Sequence, residues 1–373
     1  QEVTWPFVWG AFVFLNACVC VFVRGVSPIC YSHVSTRYKA LFEVTGQSAY
    51  LTIAANGVCR VTLGTPVQAT LKTPVHFQGT GLHSGETVHL TVRPASTDYG
   101  IWFKRTDVLL GDAMIPARWD VVEQTALCTR IKNEAGVSVS TIEHLMAALA
   151  GCGIHNALIE IDAPEVPILD GSSADFVHGF LKAGIVKQGA PVWAVEVLKP
   201  VSVTRGEATA TLVPADEMRI DFHIDFEDEA IGQQTKELNL ANGSFIRELC
   251  NSRTFCRQAD VEAMQANGLA LGGDPTENAV VFNGADVQAK GGLRHADEPW
   301  RHKMLDAMGD LYLAGAPLLA HYQGHRAGHS LTNALLRELF SHPDNWRLVE
   351  CDAAQAARLP GAGVHMGEFP AVA

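Results

Sequence analysis

Residues 140–172 read STIEHLMAALAGCGIHNALIEIDAPEVPILDGS, and the order of elements in this stretch decides the fold class. Ser140 stands where a helix N-cap belongs, and Glu143 three residues on completes a capping box, so a helix is expected through Ala150. Gly151-Cys152-Gly153 ends it. Asn156–Asp162 is apolar and short, the signature of a buried strand. Asp170-Gly171-Ser172-Ser173 then caps a second helix, Ala174–Ala183, which stops at Gly184. Upstream, Val88, Leu90 and Val92 alternate with polar residues, as one face of a strand does. Ile101–Arg105 and Ala126–Ile131 read as further strands.

A linker is expected at Gly189-Ala190-Pro191, followed by a second unit of the same rhythm. Its strands are expected over 192–204, 207–214 and 218–226, and its helices near 242–250 and 257–266. Trp300–Ala314 reads as a long amphipathic helix, Pro317–Gln323 as a strand and Ser330–Phe340 as a helix. The expected architecture is α+β, with domains at 70–190 and 191–349 and a loose tail over 350–373. Residues 1–69 differ. Trp5–Val23 is a charge-free run of 19 residues, near the minimum for a membrane span, but Pro6, Gly10 and Asn16 interrupt it. We expect this leader to lie outside the fold, with membrane anchoring as the competing reading.

The 373 residues carry a net charge of −12, which argues against a general nucleic-acid binder because phosphate contacts need clustered Lys and Arg. Hydrophobic residues make up 47% and charged residues 18%, enough for a packed core. The nine cysteines form no CxxC pair, so a thiolate zinc site is unsupported and a reducing, cytoplasmic setting is expected.

Three clusters carry chemistry. Glu143-His144 sets a carboxylate beside an imidazole on the first turn of a helix. His302 and Asp306 are four apart on another helix, so both project from one face, with Asp310 four further on. Lys303 on a neighbouring face can meet a developing negative charge. His329 sits among small residues in GHRAGHS (324–330) at a loop-to-helix junction. Each pattern alone is more often a surface polar pair, an ordinary hydrogen-bonded pair or an incidental capping residue. Together they hold the inventory of an open metal-hydrolase site: His, His and Asp as ligands, Glu as base and a further His as acid.

STIEHLMAALAGCGIHNALIEIDAPEVPILDGS, SRTF (252–255), RHKMLDAMGDLYLAG (301–315), GHRAGHSLTN (324–333) and GTGLHSGETVHLTVRPA (79–95) resemble, in order and spacing, the UDP-3-O-acyl-N-acetylglucosamine deacetylases of Gram-negative bacteria. The resemblance spans about residues 70 to 350. It implies two similar α+β domains, each a sheet on helices, stacked as a β-α-α-β sandwich. It implies one Zn2+ on His144, His302 and Asp306, with Glu143 as general base and His329 as general acid oriented by Asp310. Thr254 and Lys303 would serve the oxyanion. His83, Phe226, Phe255 and Arg326 would contact a UDP-linked acylated glucosamine, and Phe255 with Asp260–Leu271 would line the acyl passage. The enzyme would be a cytoplasmic monomer of lipid A synthesis, without nucleic-acid partners or membrane association. Cys256-Arg257-Gln258 and Arg326 depart from the family pattern, which more often has an aromatic residue and a Lys there, and no basic residue aligns near Arg205. The competing class is a catalytically silent zinc-binding regulator on the same fold.

Overall fold

A computed structural model describes residues 66–125 and 127–368; of the leader it describes only strand segments between Val13 and Leu63. Two compact units result, Gln1–Gly64 and Thr65–Ala373. In the first, Val13–Leu15, Cys18–Val21 and Ile29–Ser32 form one antiparallel ladder, and Tyr38–Val44, Gln47–Ile53 and Cys59–Leu63 another. Most of the apolar run Trp5–Val23 lies outside the described residues. No described helix is long and apolar enough to cross a membrane.

The second unit is α+β. Its first sheet has five strands in the order Met114–Pro116, Ile101–Arg105, Ala157–Ile161, Thr87–Pro94, Val75–Thr80. Alternation puts Val88, Leu90 and Val92 inside while Thr87 and His89 face out. Helix α1, Glu143–Gly151, is buried on every side, which suits its nearly all-apolar sequence. Helix α2, Ala174–Ala183, instead turns one stripe inward: Phe176, Val177, Phe180 and Leu181 are buried, and Phe77 meets Phe176 and Phe180 edge-on.

The second sheet has seven strands centred on Leu318–His325. Ala208–Pro214 pairs antiparallel along one side; Trp193–Val197 and Arg219–Asp225 pair parallel along the other. Three helices follow in this half of the unit: α3 (Gln258–Ala266), which packs on a separate small sheet that includes Phe255–Arg257 and Val280–Asn283, α4 (Glu298–Leu311) and α5 (His329–Ser341). α5 packs on Val201–Arg205 and Ala208–Pro214, while α4 packs on α1. One hydrophobic core runs through both sheets and through α1, α2, α4 and α5.

The α1–α4 crossing depends on Gly309. A Cβ there would lie 2.0 Å from the backbone oxygen of Glu143, so only glycine permits this approach. Gly309→Ala is therefore expected to cost about 1–3 kcal/mol of overpacking, although alanine is ordinarily the better helix former. Thermal unfolding measures this; a raised melting temperature would refute the contact.

Several boundaries differ from expectation. α1 begins at Glu143 with no side-chain cap. Ser140 Oγ donates to the Pro164 carbonyl, Thr141 takes φ +56°, and the Glu143 side chain turns inward instead of capping. The single strand expected over 192–204 is two, Trp193–Val197 and Val201–Arg205, separated at Pro200, which has no N–H for a ladder. The expected linker at 189–191 is the end of strand Ile185–Pro191, paired to Val67–Leu71. The helix near 242–250 shrinks to one turn, Phe245–Leu249. Gln233–Asn239 is a polar strand without the apolar alternation that would have announced it. The tail packs down: Asp352 and Gln355 form a capping box on Ala353–Ala356, and Cys351 and Leu359 are buried.

Candidate metal centre

α1 presents Glu143 and His144 from its first turn, and α4 presents His302, Asp306 and Asp310 on one face one turn apart. α5 begins at His329, after Gly328 in extended conformation. All six side chains are nearly or wholly buried.

His144, His302 and Asp306 converge so that one ligand atom from each lies within 4.8 Å of the others. The His302 Nδ1–H donates to the Ser252 carbonyl, 3.0 Å away, which leaves Nε2 with a lone pair. Burial holds this ring down to about 4, so it is neutral. Its Nε2 lies 3.2 Å from Asp306 Oδ1, and His144 Nε2 lies 3.5 Å from the same oxygen. Asp306 Oδ1 is buried without a hydrogen-bond partner. Two electron pairs facing each other at that distance repel unless a cation lies between them. The donor set fits a divalent metal that accepts nitrogen and oxygen.

The surrounding charges agree. Lys303 Nζ donates to Asp306 Oδ2 at 2.7 Å. Lys303 is thereby tied to the Asp306 carboxylate. Burial opposes its charge, but Asp306, with Asp310 and Glu143, outweighs this and raises its pKa. Burial pushes the Glu143 carboxyl up, against the pull of His329 and His144. His329 Nδ1 donates to Asp310 Oδ2 at 2.8 Å, and Nε2 stands 3.7 Å from Glu143 Oε1. Burial disfavours a charged ring there, yet Asp310, Glu143 and Asp306 together hold it up to about 9. A buried carboxylate and a protonated imidazole therefore face each other 3.7 Å apart.

The other expected residues are placed less directly. Thr254 is half-buried two residues beyond Ser252, its N–H donating to the Gly171 carbonyl at 2.7 Å. Phe255 meets the His302 ring edge-on at 6.2 Å and Phe226 at 5.5 Å. His83 is fixed by its N–H donating to Glu165 Oε1, and its Nε2 is buried without a partner. Arg326 does not join the cluster: it pairs with Glu207 at the surface, at φ +50°. Arg257, at the departure from the family pattern, pairs with Glu227 and Asp228. Arg205 donates to Ser330 Oγ, beside His329.

Sequence reasoning missed Glu165, Ser252, Thr129 and Arg253. Glu165 accepts from the His83 and Ser84 N–H groups and the Thr141 hydroxyl, so it ties the His83 loop to the start of α1. Its place after a proline, in a loop, carries no local signal.

The chain is similar to known proteins over most of this unit. A model of the LpxC family, UDP-3-O-acyl N-acetylglycosamine deacetylase, matches residues 68–341. The UDP-3-O-acyl-N-acetylglucosamine deacetylase of Shewanella frigidimarina is 44% identical over 305 residues, covering 80% of this chain and 99% of that protein. That of Phenylobacterium zucineum is 47% identical over 281 residues, covering 75% and 96%. That of Idiomarina loihiensis is 45% identical, covering 78% and 94%. With the family model matching residues 68–341, which include every residue of the buried cluster, and with these relatives 44–47% identical over most of the chain, the chain belongs to the UDP-3-O-acyl N-acetylglycosamine deacetylase family.

Proposed function

We propose that the protein is a zinc amidohydrolase that removes the N-acetyl group of UDP-3-O-acyl-N-acetylglucosamine, giving the free amine and acetate, as the committed step of lipid A biosynthesis. The observation that carries the reading is the buried, unpartnered Asp306 Oδ1 facing the nitrogens of His302 and His144. The residues that would hold the metal are His144, His302 and Asp306. When bound, zinc polarises the amide carbonyl and acidifies water at the site.

The chain's own groups do the rest. Glu143 accepts a proton from the attacking water. His329 donates its Nε2 proton to the departing nitrogen, so that it leaves as an amine. Asp310 accepts from Nδ1 and keeps that ring charged and aimed. Lys303, and the Thr254 hydroxyl, meet the negative charge that develops on the former carbonyl oxygen. Phe255 and Phe226 offer an apolar wall beside His302 for the acyl chain, with Asp260–Leu271 continuing it. His83 and Arg326 are proposed as contacts to the nucleotide sugar. The reading includes domains at 70–190 and 191–349, a leader outside the fold, a monomer, and a cytoplasmic setting without membrane or nucleic-acid partners.

The test is release of free amine from that substrate by the full chain. Turnover is expected to disappear with a chelator and to return with one equivalent of zinc. Absence of turnover in a folded, zinc-loaded protein would favour the silent regulator instead. Recovery of the full chain in the membrane fraction would favour an anchor in residues 1–69.

A further inference from the structure

Thr129 is buried, follows Cys128 and precedes the short strand Arg130–Lys132. Its backbone N–H donates to Glu143 Oε2 at 3.0 Å. Its carbonyl accepts from the Ile142 N–H at 3.4 Å, immediately before α1. Its hydroxyl donates to Asp310 Oδ1 on α4. The other oxygen of Asp310 accepts from His329 Nδ1, and His329 Nε2 faces Glu143 Oε1. Three hydrogen bonds and the 3.7 Å approach of His329 to Glu143 close a ring through both residues, with Thr129 joining the two carboxylates through the oxygens that do not face His329.

Resting on the amidohydrolase reading, we propose that Thr129 is a positioning residue for the reaction: it fixes the Glu143 and Asp310 carboxylates relative to each other. The argument is one of satisfied valences. Each buried carboxylate offers two oxygens. Thr129 occupies Glu143 Oε2 and leaves Oε1 toward the reacting space. It occupies Asp310 Oδ1 and leaves Oδ2 for the imidazole. Without the hydroxyl, Asp310 Oδ1 is a buried acceptor with nothing to accept, and its carboxylate is free to turn. The ring it orients then loses its aim. Misplaced proton donors cost rate and not binding, because the interaction matters only as the proton moves.

Valine matches the shape of threonine and lacks only the hydroxyl. Thr129→Val in the full chain is expected to lower kcat about 10- to 100-fold, part of the roughly 10²–10⁴ that a positioned proton-transfer group contributes, with KM within about twofold. Thr129→Ser, which restores the donor, is expected to return kcat to within about threefold of the wild type. In an Asp310→Asn background, Thr129→Val is expected to cost no further kcat, since the hydroxyl acts through that carboxylate. A folded, zinc-loaded valine variant with unchanged kcat overturns the proposal, as does an equal loss in both backgrounds. If valine prevents folding, Thr129→Ala removes the donor as well, and wild-type kcat there overturns it equally. Wild-type turnover in the same assay separates the questions: a wild type without turnover refutes the amidohydrolase reading itself, whatever Thr129 does.

Discussion

With Glu143 as the base of the amidohydrolase proposed above, Glu143→Gln is expected to lower kcat by about 10²–10⁴ while the protein keeps its fold and any metal held at the site. Glutamine preserves the shape and can still accept the Thr129 N–H through its amide oxygen. It cannot take a proton at neutral pH. Glu143 is not among the three converging ligand atoms, so metal content measured on the purified variant should stay at one per chain. KM should change little, because the base is needed only once the water attacks. A variant within tenfold of the wild type would remove Glu143 from its role. Loss of the metal together with activity would move it into the ligand set.

The second large effect concerns stability. Arg253 is 2% exposed and Glu298 1%. The Arg253 Nε donates to Glu298 Oε1 at 2.9 Å and Nη2 to Oε2 at 3.1 Å, while Nη1 and Nη2 also reach the Lys290 and Gly292 carbonyls. Arg253→Met is expected to cost about 3–5 kcal/mol, because it leaves a buried carboxylate and two carbonyls without the guanidinium. The effect should depend on pH. Burial raises the Glu298 pKa, but the Arg253 side chain and the Arg253 and Arg294 N–H groups outweigh it and hold the carboxyl below its usual value. A depressed folded pKa gives stability that is complete above the unfolded carboxylate range and is lost as pH falls through the folded value. In the variant the carboxyl has no guanidinium and protonates more readily. The gap between variant and wild type should therefore be widest near neutrality and shrink in acid. Denaturant unfolding at several pH values measures it, and a constant gap would show that lost packing outweighs the lost charge pair.

How far the sequence was legible depended on the reach of each signal. His302, Asp306 and Asp310 could be placed on one face because a helix repeats every turn. That His144 meets them could not be read locally: it depends on α1 crossing α4 at Gly309, a contact between distant segments, and only the family resemblance supplied it. Ser140 and Glu143 matched a capping box in spacing, but burial of the Glu143 side chain overrode the local preference. Gln233–Asn239 hid because an exposed edge strand needs no apolar alternation. The Ser252 carbonyl, which sets the His302 tautomer, was invisible because every residue carries the same backbone oxygen. Arg253 runs against the rule that arginine stays at the surface, and nothing in SRTF signals its partner Glu298.

The three converging donors come from two helices whose meeting is the middle of the core. An unfolded chain holds no such cluster, so a cation that binds here favours the native state. Its concentration then becomes a thermodynamic variable of folding: by mass action, free metal at 100 times its dissociation constant adds about 2.7 kcal/mol. Metal supply in the cell would set how much of this protein stands folded, as well as how much of it turns over.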